Sequence, residues 1–129
     1  MTSSRKVALL LVATAILSAA CGKTSTGAAA KTVDVSIHTF MFKPNPLRVA
    51  VGTIVRWTNH DQILHTVTAG TRDYDPTDSG KVVAQHASGL FDAGLDGVGK
   101  QFSFAFTKTG TFHYFCARHP GMEADVTVT

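Results

Sequence analysis

The chain has 129 residues, 44% of them hydrophobic and 16% charged, which fits one globular domain with a single modest core rather than a disordered chain or a repeat array. The formal net charge is +3, but Arg5 and Lys6 lie in an N-terminal segment that reads as removable, and without them ten basic residues face nine acidic ones. No Lys/Arg cluster or basic stripe exists to neutralise phosphates, which argues against nucleic acid as a partner.

Residues 1–20 read as an export signal: a basic start at Arg5 and Lys6, an apolar stretch from Val7 to Leu17, then the small residues Ser18, Ala19 and Ala20. The apolar stretch is too short to span a bilayer comfortably. Cys21 and Gly22 follow directly, and this junction resembles the lipobox at which bacterial lipoproteins are cut and the new N-terminal Cys is acylated, although Ser18 stands where such boxes usually carry Leu. The expectation is a tether over residues 21–32, lipidated at Cys21, holding the domain in the periplasm or at the outer face of a membrane. Ordinary cleavage after Ala20, giving a soluble periplasmic protein, is the alternative. A cysteine at a processing site has little reason to pair with Cys116, so the two cysteines call for separate explanations.

From residue 33 the pattern is a series of short alternating runs. Val33, Val35 and Ile37 form the first, Leu47, Val49 and Val51 the second, Val55 and Trp57 the third, and Leu64 to Thr68 the fourth. Turn formers such as Pro44-Asn45-Pro46 and Gly52-Thr53 separate them. From Gly70 to Gly89 the alternation fades into a polar passage that reads as a long solvated surface loop, with room for one helical turn over residues 81–88. Its Asp73, Asp75 and Asp78 are candidates for an acidic partner-binding face. Strand patterning resumes at Leu90-Phe91, strengthens at Phe102, Phe104 and Phe106, continues through Phe112, Tyr114 and Cys116, and ends at Val126 and Val128. Seven or eight short strands in about a hundred residues predict an all-β Greek-key sandwich. Trp57 and the Phe102, Phe104 and Phe106 stripe are expected in its core.

The chemistry concentrates in Cys116-Ala117-Arg118-His119-Pro120-Gly121-Met122, a thiolate, an imidazole and a thioether within one turn after a strand. Soft sulfur ligands beside imidazole select copper over hard cations. By strand period Cys116 points inward with Phe112 and Tyr114, while Pro120-Gly121 can turn His119 and Met122 back toward it. The best candidate for a fourth ligand is His65, at the start of the run Leu64 to Thr68. Singly, these residues would be ordinary core or surface positions. A Cys116 nucleophile with His119 as base lacks an orienting third residue, and zinc rarely takes a Met ligand. His38, His60, His86 and His113 are expected at the surface, with His60 the one rival to His65 in sequence position.

Residues 33–129 resemble the small blue copper proteins, the cupredoxins of the plastocyanin and amicyanin type. The resemblance is carried by Phe42-Lys43-Pro44, Gly52 to Trp57, the His65 region, Phe91-Asp92-Ala93-Gly94, Phe102 to Phe106 and Gly110 to Met122, with a short ligand loop like that of amicyanin. It implies one type 1 copper with His65, Cys116 and His119 in a trigonal plane and Met122 as a long axial ligand. It further implies a monomeric electron carrier without substrate turnover, whose redox partners dock transiently on an apolar rim around His119 that includes Pro44, Leu64, Pro120 and Gly121. Thr66 stands where relatives commonly have an Asn that braces the ligand loop, and its hydroxyl is expected to replace some of those bonds.

Overall fold

The computed structural model describes residues 29–129. The expected export signal and the Cys21 lipidation site lie outside the described residues. No helix among those described is long and apolar enough to cross a membrane.

Among the described residues nine strands form two sheets. The first sheet has the order β2-β1-β4-β7, from β1 (Thr32–His38), β2 (Met41–Lys43), β4 (Thr53–Asn59) and β7 (Gln101–Phe106). The second has the order β3-β9-β8-β5-β6, from β3 (Leu47–Val49), β5 (Leu64–Asp75), β6 (Asp78–Asp96), β8 (Gly110–Phe115) and β9 (Glu123–Val128). The chain changes sheet at every connection except the hairpins β1–β2, β5–β6 and β8–β9, giving the expected sandwich. The strand beyond the expected eight is Met41–Lys43, whose three residues are too few to show an alternation.

The alternation read from the sequence becomes burial. In β4, Thr53, Val55, Trp57 and Asn59 point inward and the residues between them are partly exposed. Trp57 is fully buried and stacks on Phe102 at 5.6 Å, meets Tyr114 edge-on at 5.4 Å and lies 5.6 Å from Phe91. This aromatic centre pins the two sheets together, because large rings bury much apolar area with little rotamer entropy to lose.

The expectation of a solvated loop between Gly70 and Gly89 is wrong. The sheet-two strands β5 and β6 run on past the sandwich as a hairpin arm, in register at Thr71–His86, Arg72–Gln85, Asp73–Ala84 and Tyr74–Val82, and the chain turns at Pro76-Thr77. No helical turn forms. Periodicity missed the arm because its inward positions on β5 are Arg72 and Tyr74, polar-tipped residues that break an apolar alternation, while most of β6 before Phe91 faces water.

Gly70 sits where the ladder shifts register, at φ +141, and a Cβ there would lie 2.0 Å from the carbonyl oxygen of His86. Only glycine tolerates that approach. Gly70→Ala is therefore expected to destabilise the protein by about 2–4 kcal/mol or to detach the arm; chemical denaturation together with limited proteolysis between residues 71 and 88 would show which.

Candidate metal centre

Cys116 follows the last residue of β8 and continues its inward parity, so its side chain is fully buried. The chain then folds back on itself through backbone hydrogen bonds: His119 N donates to Cys116 O at 3.3 Å, Met122 N to His119 O at 3.4 Å, and Cys116 N to Met122 O at 3.0 Å. Gly121 supplies the left-handed conformation this closure needs, at φ +73. Met122 ends the loop buried, and β9 starts at the next residue. His65, the second residue of β5, is fully buried on the neighbouring strand.

These elements bring together the four residues singled out in the sequence. Cys116 Sγ lies 3.8 Å from His65 Nδ1 and 3.4 Å from His119 Nδ1, and the three donor atoms all fall within 4.8 Å of one another. Among the described residues this is the one such cluster of His, Cys and acidic side chains. Donors about 2.0–2.3 Å from a shared cation at trigonal or tetrahedral angles are separated by about 3.4–3.8 Å, so the spacings of the sulfur to both imidazoles fit one soft metal ion. His60 is exposed and does not join the cluster. His38, His86 and His113 are exposed and paired with Asp61, Asp73 and Asp125.

Supporting contacts prepare Cys116 and His65. Thr66 N donates to Cys116 Sγ at 3.3 Å, and Thr66 Oγ1 accepts from Ala117 N at 2.7 Å, so Thr66 ties the His65 strand to the ligand loop as expected of its hydroxyl. Asp61 Oδ2 lies 3.0 Å from His65 Nε2. A carboxylate there holds the proton on Nε2 and leaves Nδ1 with a lone pair facing Cys116. On His119, burial above all, with the guanidinium charges of Arg118 and Arg72 adding to it, pushes the pKa below its ordinary value. Its imidazole is thereby kept neutral and competent to bind a metal at physiological pH.

Three further residues of the site escaped sequence reasoning. Asn59 is fully buried; its Nδ2 donates to Ile63 O at 2.9 Å and to Leu95 O at 2.8 Å, and its Oδ1 accepts from Asp61 N at 2.9 Å. It therefore fixes the turn that leads into His65. Asp61 also accepts from Thr39 N at 3.1 Å and Phe40 N at 3.5 Å. Thr39 and Phe40 form the two-residue β1–β2 turn with φ of 52 and 58, a conformation a β-branched and a bulky residue adopt only under constraint. The constraint sets the half-exposed Phe40 ring edge-on to His119 at 4.9 Å and to His65 at 5.7 Å. The signal available in the sequence was the Asn59-His60-Asp61 turn beside His65, which reads as solvent-facing until the turn is folded.

Burial raises the Asp61 pKa, but the backbone donors of Thr39 and Phe40 and the His65 contact together outweigh it, leaving the carboxyl below its ordinary value of 3.8. Its stabilisation is then full above that value and fades as pH falls through the native pKa. In thermal melts of the metal-free protein, Asp61→Asn is expected to be less stable than the parent at pH 7, by a gap that narrows as pH falls below 3.8.

The sequence model of the copper-binding proteins of the plastocyanin/azurin family matches residues 29–129. The chain belongs to that family. A plastocyanin from Daucus carota is 30% identical over 91 residues, covering 69% of this chain and 88% of that protein. Among solved structures, a purple cupredoxin from Nitrosopumilus maritimus superposes with a TM-score of 0.55 at 27% identity, covering 77% of this chain and 99% of that one. The Cu(I) form of an amicyanin point mutant gives a TM-score of 0.55 at 26% identity, covering 80% and 87%. Copper is accordingly the cofactor of this cupredoxin, and membership implies copper-based electron transfer with redox proteins as partners.

Proposed function

We propose that the chain is an exported electron carrier in which His65, Cys116, His119 and Met122 would hold one type 1 copper. The observation that carries this reading is the convergence of two Nδ1 atoms on one buried sulfur, with Asp61 backing the His65 ring and the Thr66 amide backing the sulfur. Copper bound there supplies a one-electron couple between Cu(I) and Cu(II). The protein's part is to keep the donors still: Thr66, Asp61 and Asn59 tie the loops to the sheets, so little has to move when the charge changes.

Exclusion of substrate supports a carrier over an enzyme. His65, Cys116 and Met122 are essentially inaccessible, and of the four only His119 reaches toward solvent. A buried thiol is also poorly placed as a nucleophile. Phe40 is exposed and stands edge-on against His119, and Met41, Ile63, Pro44, Pro120 and Gly121 are also exposed, with Leu64 partly so. This apolar rim suits brief docking of a redox partner, with His119 as the route for the electron. In the same reading residues 33–129 form the cupredoxin domain of a monomer. Residues 1–20 are its signal and residues 21–32 its tether, acylated at Cys21 at the outer membrane face.

The oxidised protein is expected to show strong visible absorption and a reversible one-electron wave in voltammetry. A colourless, readily exchanged copper would make the protein a store or courier, and an exchangeable water on copper would make it an enzyme. For the anchor, mass spectrometry of the membrane fraction is expected to find acylated Cys21; an unmodified Cys21 removes that part of the proposal.

A further inference from the structure

Arg72 projects from the hairpin arm into the copper loop. The residue is buried at 9% exposure, with Nη1 donating to His119 O at 2.8 Å and Nη2 to Cys116 O. The carbon of the same guanidinium lies 4.6 Å from the centroid of the Phe115 ring. Two neighbours on the arm reach the same loop: Gln85 Nε2 donates to Ala117 O at 3.1 Å, and Tyr74 Oη accepts from Gly121 N at 3.2 Å. One charged fork thus spans the carbonyls of two of the proposed ligands, and it does so from the segment that sequence reading assigned to solvent.

Two properties of Arg72 set it apart from a surface ion pair. It has no carboxylate partner among the described residues, where Arg56 pairs with Asp34 and Lys81 with Asp75, and its Nε is buried without a hydrogen-bond partner among them. Arginine stays charged at any pH the protein meets. A fixed positive charge in a poorly screened position disfavours additional positive charge nearby. Cu(II) carries one more charge than Cu(I), so this field weighs against the oxidised state.

We propose that Arg72 is a positioning residue of the copper centre, with two effects: it holds the Cys116–His119 loop in ligand-ready form before metal arrives, and its charge raises the reduction potential. The β5–β6 arm exists, in this view, to deliver Arg72, Tyr74 and Gln85 to the loop. The proposal rests on the copper reading above, but its first effect is measurable without copper.

The test compares Arg72→Met and Arg72→Lys with the parent. In voltammetry of the copper-loaded protein, Arg72→Met is expected to shift the balance about tenfold toward Cu(II), a potential lower by about 59 mV for a one-electron couple. Arg72→Lys keeps the charge and is expected to stay within about threefold of the parent. In hydrogen exchange of the metal-free protein, amides 117–122 are expected to exchange about tenfold faster in both Arg72 variants, because a lysine cannot span two carbonyls. A parent-like potential in Arg72→Met overturns the electrostatic effect, and parent-like exchange in both variants overturns the brace. If Arg72→Met fails to fold, Arg72→Lys decides the brace by exchange, and Arg72→Gln, which is neutral but can keep one carbonyl bond, replaces it in voltammetry. A parent protein with no copper-dependent absorption or couple would instead refute the copper reading, leaving the exchange comparison valid.

Discussion

Cys116→Ser is expected to abolish the strong visible absorption of the oxidised protein and to weaken copper binding by more than the ~10–100-fold that altering a supporting contact produces. The substitution changes little in shape, so its effect isolates chemistry. A serine hydroxyl remains protonated near neutral pH and is a hard donor, whereas the thiol is ionised by metal binding and its soft sulfur matches copper. Cys116 is fully buried, with the Thr66 amide at 3.3 Å from its sulfur. A hydroxyl can accept that bond, and the metal-free variant is expected to fold with a change of about 1 kcal/mol or less. Visible spectroscopy, a chelator competition titration and a melt of the metal-free protein together check the claim. A Ser variant that stays fully coloured would remove Cys116 from the ligand set.

Asn59→Ala is expected to be the most damaging change outside the donors. Its side chain satisfies Ile63 O, Leu95 O and Asp61 N from a position with no access to water. Truncation leaves three backbone groups to find other partners and opens a void beneath the turn that carries Asp61. Buried polar groups left unpaired cost about 1–3 kcal/mol each, and some relaxation toward solvent brings the expected total to about 3 kcal/mol. For a domain of this size that is a melting temperature lower by roughly 12–20 °C. Because Asp61 also orients His65, copper affinity is expected to fall in parallel. Differential scanning calorimetry of the metal-free and copper-loaded forms separates the two losses: a variant that melts low yet recovers the parent's copper-induced stabilisation would show that Asn59 acts on the fold alone.

The two predictions differ in how visible their residues were beforehand. Cys116, His119 and Met122 lie within one short loop, and their combination of thiolate, imidazole and thioether is chemically specific wherever it occurs. His65 is distant in sequence, and His60 competed with it until β5 placed His65 inside and left His60 exposed. Asn59 looked like a turn residue of no special note. Its importance comes from Leu95, 36 residues away, which only the closed sandwich brings within hydrogen-bond reach.

The hairpin arm shows where pattern reading stops. Apolar alternation reports burial against a hydrophobic core, and it identified the central runs of both sheets because Val35, Ile37, Val55, Trp57, Val67 and Val126 all face that core. The arm packs instead on the polar backbone of the ligand loop, through Arg72, Tyr74 and Gln85. Hydrogen bonding to carbonyls leaves no periodic signature, so a segment packed on that loop read as one serving solvent.

By itself the sequence determined the all-β class, the inward parity of Cys116 and the soft donor set, because each depends on local spacing and on the chemistry of single side chains. The tertiary structure alone decided which histidine joins the thiolate and that Asp61 and Asn59 prepare it. It also turned a polar stretch into an arm that places a buried guanidinium on the loop carbonyls. Those outcomes depend on contacts between residues dozens of positions apart, whose closeness is a property of the folded sheets and of no local run of residues.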